Sequence, residues 1–513
     1  MNSVKTLLLG TAAGLVAVAG AQAADMPVKA APVQYVKICS LYGDGFYYIP
    51  GTDTCLKLGG YVRVQAEYNR GGGGVVVGDS AGGELSQGRF TRDLTNDVNY
   101  RVRGVTSWDI RQQTEYGTLR TYIRFGVENT TPQATGGGTT ATAFWDRAFI
   151  QFAGFTVGRS QSFFDLFTYG GAYSYHNVRV SGDTGASGQN LWAYTAQFGN
   201  GFSGTLSLED PATRKGGTVD LAATGFAIPA TALVADNAFA VNNVATAFGF
   251  RVPDIIANLR VDQAWGFAGI SAALHDVSGA YYGVNTAGNV VPFGGVANGH
   301  PEDKYGWALA GGAKFNLPGG DMIGFNVCYA EGAPGFCTNN AVFTLYNSNT
   351  SVGAGWIADG VFANGTQIEL TRVWSALAAY EHIWNPKWRT SFFGGYVNVN
   401  YNDNATALIQ QRLPGVLVGC GRTNAIAPAL STIQPLPGNS CSPDYDFWEA
   451  GTRTQWNPVP QLDIGLEVLY SKRNTAFKGP AIVPASGSRP PVFVLDDQDA
   501  WSAMFRWQRN FYP

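Results

Sequence analysis

Residues 56–69 read LKLGGYVRVQAEYN. Leu56, Leu58, Gly60, Val62, Val64, Ala66 and Tyr68 are apolar or small, while Lys57, Gly59, Tyr61, Arg63, Gln65, Glu67 and Asn69 alternate with them and are mostly polar. Successive side chains of a strand point to opposite faces, so this spacing predicts a strand with one apolar and one polar face. The same alternation returns at Val98–Gln112, 118–127, Phe144–Ala153, Phe155–Phe163, Leu191–Phe198, Phe202–Leu208 and Asp254–Gln263. It continues at Trp265–His275, Tyr305–Phe315, Asp321–Tyr329, Val373–Trp384, Trp388–Tyr401, Tyr445–Trp456, Leu462–Lys472 and Ala500–Phe511. Sixteen strands result.

Short turns and long loops alternate strictly between these strands. Glu115-Tyr116-Gly117, Leu317-Pro318-Gly319-Gly320 and Asn385-Pro386-Lys387 are short; the segments to about Asn96, Asn190, Pro253, Arg372 and Asp444 are long. Long loops confined to one end are the mark of a transmembrane β-barrel with short periplasmic turns and long outer loops. Strands of about 9–11 residues suit a tilted bilayer crossing. Trp384 and Trp388 bracket one short turn, Trp456 opens another, and Trp265 and Phe155 sit at two more. Amphipathic rings gather at membrane interfaces.

Composition agrees. Of 513 residues 66 are Gly, aromatics make up 13% and charged residues only 14%. Mean hydropathy is −0.05, as expected when each strand is apolar on one face only. Lys plus Arg is 34 against 37 for Asp plus Glu, a net charge of −3, so no strongly basic surface for nucleic acid is expected. Four His and no close Cys pair offer little for a metal site. No G-x-S-x-G elbow, H-E-x-x-H motif or P-loop occurs, so no enzyme chemistry and no cofactor are expected.

The first residues predict export. Lys5 supplies a positive start, Leu7 to Ala19 is apolar, and Ala21-Gln22-Ala23 is a small-x-small cleavage signal. Residues 1–23 are thus expected as a signal peptide cut after Ala23 or Ala24, 24–54 as a periplasmic N-terminal segment, and 55–513 as the barrel. Six cysteines fall in three sequence-local couples: Cys39 with Cys55, Cys328 with Cys337, and Cys420 with Cys441. Six cysteines allow 15 pairings. Local disulfides are the economical choice in an oxidising compartment, and unpaired buried thiols are the alternative.

Residues 39–63 read CSLYGDGFYYIPGTDTCLKLGGYVR, and TVGRSQSFFD (156–165), VPDIIANLRVDQAWG (252–266) and IWNPKW (383–388) follow. Together these resemble the alphaproteobacterial outer-membrane porins. The resemblance implies a sixteen-stranded barrel in the outer membrane of a Gram-negative bacterium, a homotrimer embedded in lipid, and passive diffusion of small hydrophilic solutes and ions. It also implies that the third long loop, about Phe164 to Asn190, folds inward to narrow the pore. The chain departs from the usual terminal aromatic, since Tyr512 and Pro513 follow Phe511.

A sixteen-stranded barrel is wide enough for an aqueous channel whose wall carries charge readily. The first four strands place Arg63, Arg101, Arg103, Arg111, Arg120, Arg124 and Arg147 on polar-face positions, and the inward loop brings Asp165 and Asp183. Asp262, Glu449, Asp463 and Glu467 lie on the polar faces of later strands. The expected constriction sets Arg101, Arg103, Arg120 and Arg124 against Asp165 and Asp183, because walls of charge set ion selectivity. The net negative charge suggests weak cation preference. A sugar-type specific channel, a barrel-based hydrolase and an adhesin remain as alternatives.

Overall fold

The computed structural model describes residues 39–70, 98–130, 140–167, 173–175, 188–221, 250–282, 296–338, 343–348, 351–412, 440–482 and 492–511. The expected signal segment, Asp183 and Cys420 lie outside these residues.

Sixteen antiparallel strands form the wall. They are β1 (Cys55–Arg70), β2 (Val98–Thr114), β3 (Gly117–Thr130), β4 (Thr140–Phe152), β5 (Phe155–Ser160), β6 (Gln189–Gly199), β7 (Phe202–Glu209) and β8 (Asp254–Gln263). Then come β9 (Gly266–Val277), β10 (Lys304–Asn316), β11 (Met322–Glu331), β12 (Arg372–Asn385), β13 (Trp388–Asn400), β14 (Tyr445–Trp456), β15 (Leu462–Asn474) and β16 (Gln498–Asn510). Each pairs with its neighbours in sequence, and β1 pairs with both β2 and β16, from Tyr61 opposite Asn510 to Arg70 opposite Trp501. Closure leaves no strand edge in lipid, which a membrane demands because hydrocarbon cannot satisfy a free peptide group. At the seam Phe511 donates its N–H to the Gly60 carbonyl at 3.0 Å. Gly60 is required there, since a Cβ would lie 2.2 Å from the Val105 carbonyl oxygen and 2.5 Å from the Phe511 ring.

Alternation sorts the wall as the sequence predicts. Along β2, Tyr100, Val102 and Trp108 are exposed on the outer face, while Arg101, Arg103, Ser107 and Asp109 are buried on the inner one. Rings pair along the short-turn rim: Trp388 with Trp456 at 5.8 Å and Trp265 with Phe315 at 5.3 Å. Leu309, exposed near the middle of β10, faces outward. Leu309→Arg is expected to cost about 2–4 kcal/mol of stability in lipid vesicles, measured by urea unfolding, whereas Leu309→Phe is near neutral.

At one short turn, Asp321 accepts from the Ile383 N–H at 2.8 Å and the Tyr380 hydroxyl at 2.6 Å, and bonds His382 Nδ1 at 2.8 Å. The Ile383 N–H foremost, then Tyr380 and His382, hold its carboxyl down at about 2. An unfolded Asp titrates near 3.9, so this contribution is complete above about pH 4 and disappears as pH falls towards 2. Asp321→Asn is expected to remove that acid limb from a pH series of unfolding midpoints.

Cys39–Cys55 closes at the short-turn rim, and Cys328–Cys337 ties the outer end of β11 to the loop beyond it. Each links residues close in sequence, 16 and 9 apart, as the spacing predicts.

Two features depart from the sequence reading. First, β5 ends at Ser160 and not Phe163, because the chain leaves the wall there. Second, the outer loops contain structure of their own. Thr218–Asp220, Gly360–Phe362 and Glu369–Leu370 form one small sheet. Phe343–Ser348, Ser351–Trp356, Gly479–Ile482 and Val492–Leu495 form another, and Asp403–Arg412 is a helix. Thr218–Asp220 pairs with Gly360–Phe362, and Ser351 and Val352 pair with Val494 and Leu495, partners far apart in sequence of which local periodicity carries no trace. Val219, Leu221, Phe336, Ile357, Val361, Ile409 and Leu495 pack with inward-facing Ile256, Ala308, Val373 and Val397 into one apolar cluster inside the wall.

Candidate functional site: the lumen and its constriction

After β5 the chain turns inward, with the Asp165 N–H bonded to the Ser162 carbonyl at 3.2 Å. Phe164, Leu166 and Phe167 are buried against the far strands. Small residues on that wall make room. A Cβ on Gly312 would lie 3.2 Å from Leu166, and one on Gly324 would lie 2.4 Å from the Phe167 ring.

The loop then reaches the other side of the lumen. Ser174 donates its hydroxyl to Glu467 at 3.0 Å and the Tyr175 N–H donates to the same carboxylate at 2.5 Å. Arg506 donates to the Tyr175 carbonyl at 3.0 Å, and the guanidiniums of Arg506 and Arg453 lie 4.1 and 5.1 Å from the Tyr175 ring centre. Ser391 donates to the Tyr173 carbonyl. The third long loop therefore runs from β5 to anchors on β13, β14, β15 and β16, across the channel. Glu467, expected only as a wall charge, is its principal acceptor.

The base of the loop is held by buried charge. Asp165 ion-pairs with Arg214 at 2.5 Å, and both side chains are only 2% exposed. Arg214 also donates to the Gly335 carbonyl at 3.1 Å and lies 4.7 Å from the Phe336 ring centre. Glu209 accepts from the Phe163 N–H at 3.0 Å. Close by, His275 Nδ1 bonds Asp254 at 2.7 Å, and Asp359 accepts from the N–H groups of Gly216 and Gly217 at 3.0 and 2.7 Å. The outer loops, the wall and the inward loop thus share one polar network.

All seven expected arginines lie on the inner face of β1–β4. Glu128 is shared by Arg101 at 2.9 Å and Arg103 at 2.5 Å. Asp109 is shared by Arg111 at 2.8 Å and Arg120 at 3.0 Å. Arg124 pairs with Asp146 at 2.7 Å, Arg147 donates to the Asp146 carbonyl, and Arg63 donates to Gln508 at 2.8 Å. Aromatic faces back the guanidiniums. Arg120 lies 5.2 and 5.5 Å from Tyr122 and Phe149, which stack on each other at 5.4 Å. Arg63 lies over Tyr61 and Arg103 over Phe144.

Two pairings differ from the sequence expectation. Asp165 meets Arg214 instead of the arginines of β2 and β3, and those arginines find their acids on their own wall. Asp109 alternates in phase with Arg101 and Arg111 along β2, but its partnership with Arg120 depends on the register that sets Arg111 opposite Arg120. Arg214 falls in the loop after β7, where no strand pattern marks it.

A closed sixteen-stranded barrel with an apolar belt, a charged lumen and a loop across it is an outer-membrane channel. Residues 25–504 match the profile of the porin subfamily, and the chain belongs to that family. The porin Omp2b of Brucella canis is 31% identical over 399 residues, which cover 69% of this chain and 94% of that one. Porin Omp2b of Brucella neotomae is also 31% identical, over 344 residues covering 61% and 81%. The outer-membrane channel DcaP of Acinetobacter baumannii superposes with a TM-score of 0.53 at 13% identity, over 90% of this chain and 99% of that one, a likeness of fold. The chain is thus a porin of the outer membrane, an integral β-barrel channel and not an enzyme.

Proposed function

We propose that this channel passes small hydrophilic solutes by passive diffusion and prefers anions. The observation that carries the preference is the inner face of β1–β4. Seven guanidiniums stand there against four carboxylates, Glu67, Asp109, Glu128 and Asp146. Arg111, Arg120 and Arg124 stay about a quarter exposed to the channel water. Charges this close to the permeation path outweigh the distant net charge of the chain, which salt screens beyond about 8–10 Å. The wall therefore favours anions over the cations suggested by composition. Liposome swelling tests the diffusion reading: neutral sugars should enter at rates that fall steeply with size. No swelling with any sugar would contradict an open pore.

We further propose that the protein is a homotrimer, with β5 at the contact between copies. β5 has only six residues, fewer than the about 9 needed to cross hydrocarbon. Arg159 on its outer face bonds the Trp145 carbonyl and Asn190, both at 3.3 Å. Facing lipid, such a side chain is costly; covered by a neighbouring copy, it is not. The expected signal peptide, the Cys420–Cys441 link and a part for Asp183 in the constriction complete this proposal. They are checked by N-terminal sequencing of the mature protein, by unreduced peptide mapping and by Asp183→Asn.

A further inference from the structure

Between the underside of the inward loop and the short-turn rim lies a recess of about 570 Å³. Such a volume suits a small organic solute. We infer that it is a binding subsite for monocarboxylates carrying a flat ring. The inference rests on the reading of the lumen as an open pore.

The charge around the recess points to one carboxylate. Lys314 projects from the inner face of β10, half-buried, and its ammonium makes no hydrogen bond or ion pair with any described residue. Arg260 is neutralised by Asp262, with contacts of 2.7 and 2.8 Å, and Asp165 is neutralised by Arg214. Among the described residues of the recess, one positive charge is therefore left over. The Arg260 Nη1 edge reaches only the Leu166 carbonyl, at 3.5 Å, the far limit of a hydrogen bond. It stands ready as a second donor, and carboxylates are bound best by two charge-assisted donors.

The surfaces around that charge point to the ring. Phe163 and Phe267 line the recess, and the Arg260 guanidinium lies 3.9 Å from the Phe267 ring centre, which fixes both planes. Flat apolar surface of this kind accepts a ring face-on or edge-on. Three neutral amides, Gln151, Gln161 and Asn258, line the recess together with Ser160, Ser162 and Tyr173. Asn258 is already bonded to Ser271 at 2.8 Å. Gln151 accepts from Arg120 at 2.9 Å, so the recess adjoins the basic wall of the constriction.

The test is blockade of single-channel current by benzoate added on the short-turn side. Flicker should grow with concentration and reach half-block near about 1 mM, weak enough for passage to continue. Lys314→Gln should raise the half-blocking concentration about tenfold, the worth of about 1.4 kcal/mol. Acetate and benzyl alcohol, which lack the ring or the charge, should block far less than benzoate. Equal blockade of wild type and Lys314→Gln would overturn the subsite, as would benzyl alcohol or inorganic phosphate matching benzoate. A channel that conducts but ignores benzoate overturns the subsite alone; absence of current overturns the pore reading as well.

Discussion

Replacing Asp165 with Asn is expected to loosen the inward loop and raise both the single-channel conductance and its noise. Asp165 and Arg214 are almost fully buried, and the substitution leaves a guanidinium in a dry site without its nearest anion. Removing one member of a buried pair commonly costs about 3–5 kcal/mol. The low end applies here, because Glu209 and Asp254 lie near enough to Arg214 to act on its charge. The barrel itself should hold, since its wall hydrogen bonds do not involve the pair. The strain falls on Phe163 to Phe167, which give up their packing on Gly312 and Gly324. Asp165→Leu combined with Arg214→Met should restore most of the native conductance, because an apolar pair of similar volume needs no compensation. If Asp165→Asn conducts like the wild type, the pair does not hold the loop.

The second large effect is expected from Arg120→Ser combined with Arg124→Ser. Both guanidiniums are partly exposed to the lumen, and both stand beside carboxylates that would then be left in excess. Asp109 would keep only Arg111, and Asp146 would lose its closest cation. In a tenfold salt gradient an ideally selective channel reads about 59 mV. The wild type should reverse on the anion side, and the double variant should move by roughly 20 mV towards the cation side, with higher conductance from the two shorter side chains. An unchanged reversal potential would remove these residues from the selectivity-determining wall.

Much of the fold is legible in the sequence because each crossing announces itself. β8 and β14 begin and end where the alternation does, at Asp254–Gln263 and Tyr445–Trp456. A strand with water on one side and lipid on the other cannot avoid a period of two. The basic wall is legible for the same reason, since Arg101, Arg103, Arg120 and Arg124 occupy polar positions in strands that are easy to phase. Partnerships are not legible. Asp165 finds Arg214 49 residues away, and Tyr175 finds Glu467 292 residues away. Neither distance leaves a local pattern. The small outer sheets are hidden likewise: Gly360 pairs in parallel with Thr218, and neither segment is long enough to show a period.

Single-channel recording across a series of KCl concentrations tests the central claim, that this barrel encloses a water-filled pore narrowed by the loop from β5. The account predicts discrete steps whose size rises nearly in proportion to the conductivity of the bath, with a reversal potential on the anion side in a gradient. Absence of steps, or a conductance that saturates at low salt as in a dry, tightly binding filter, would contradict it.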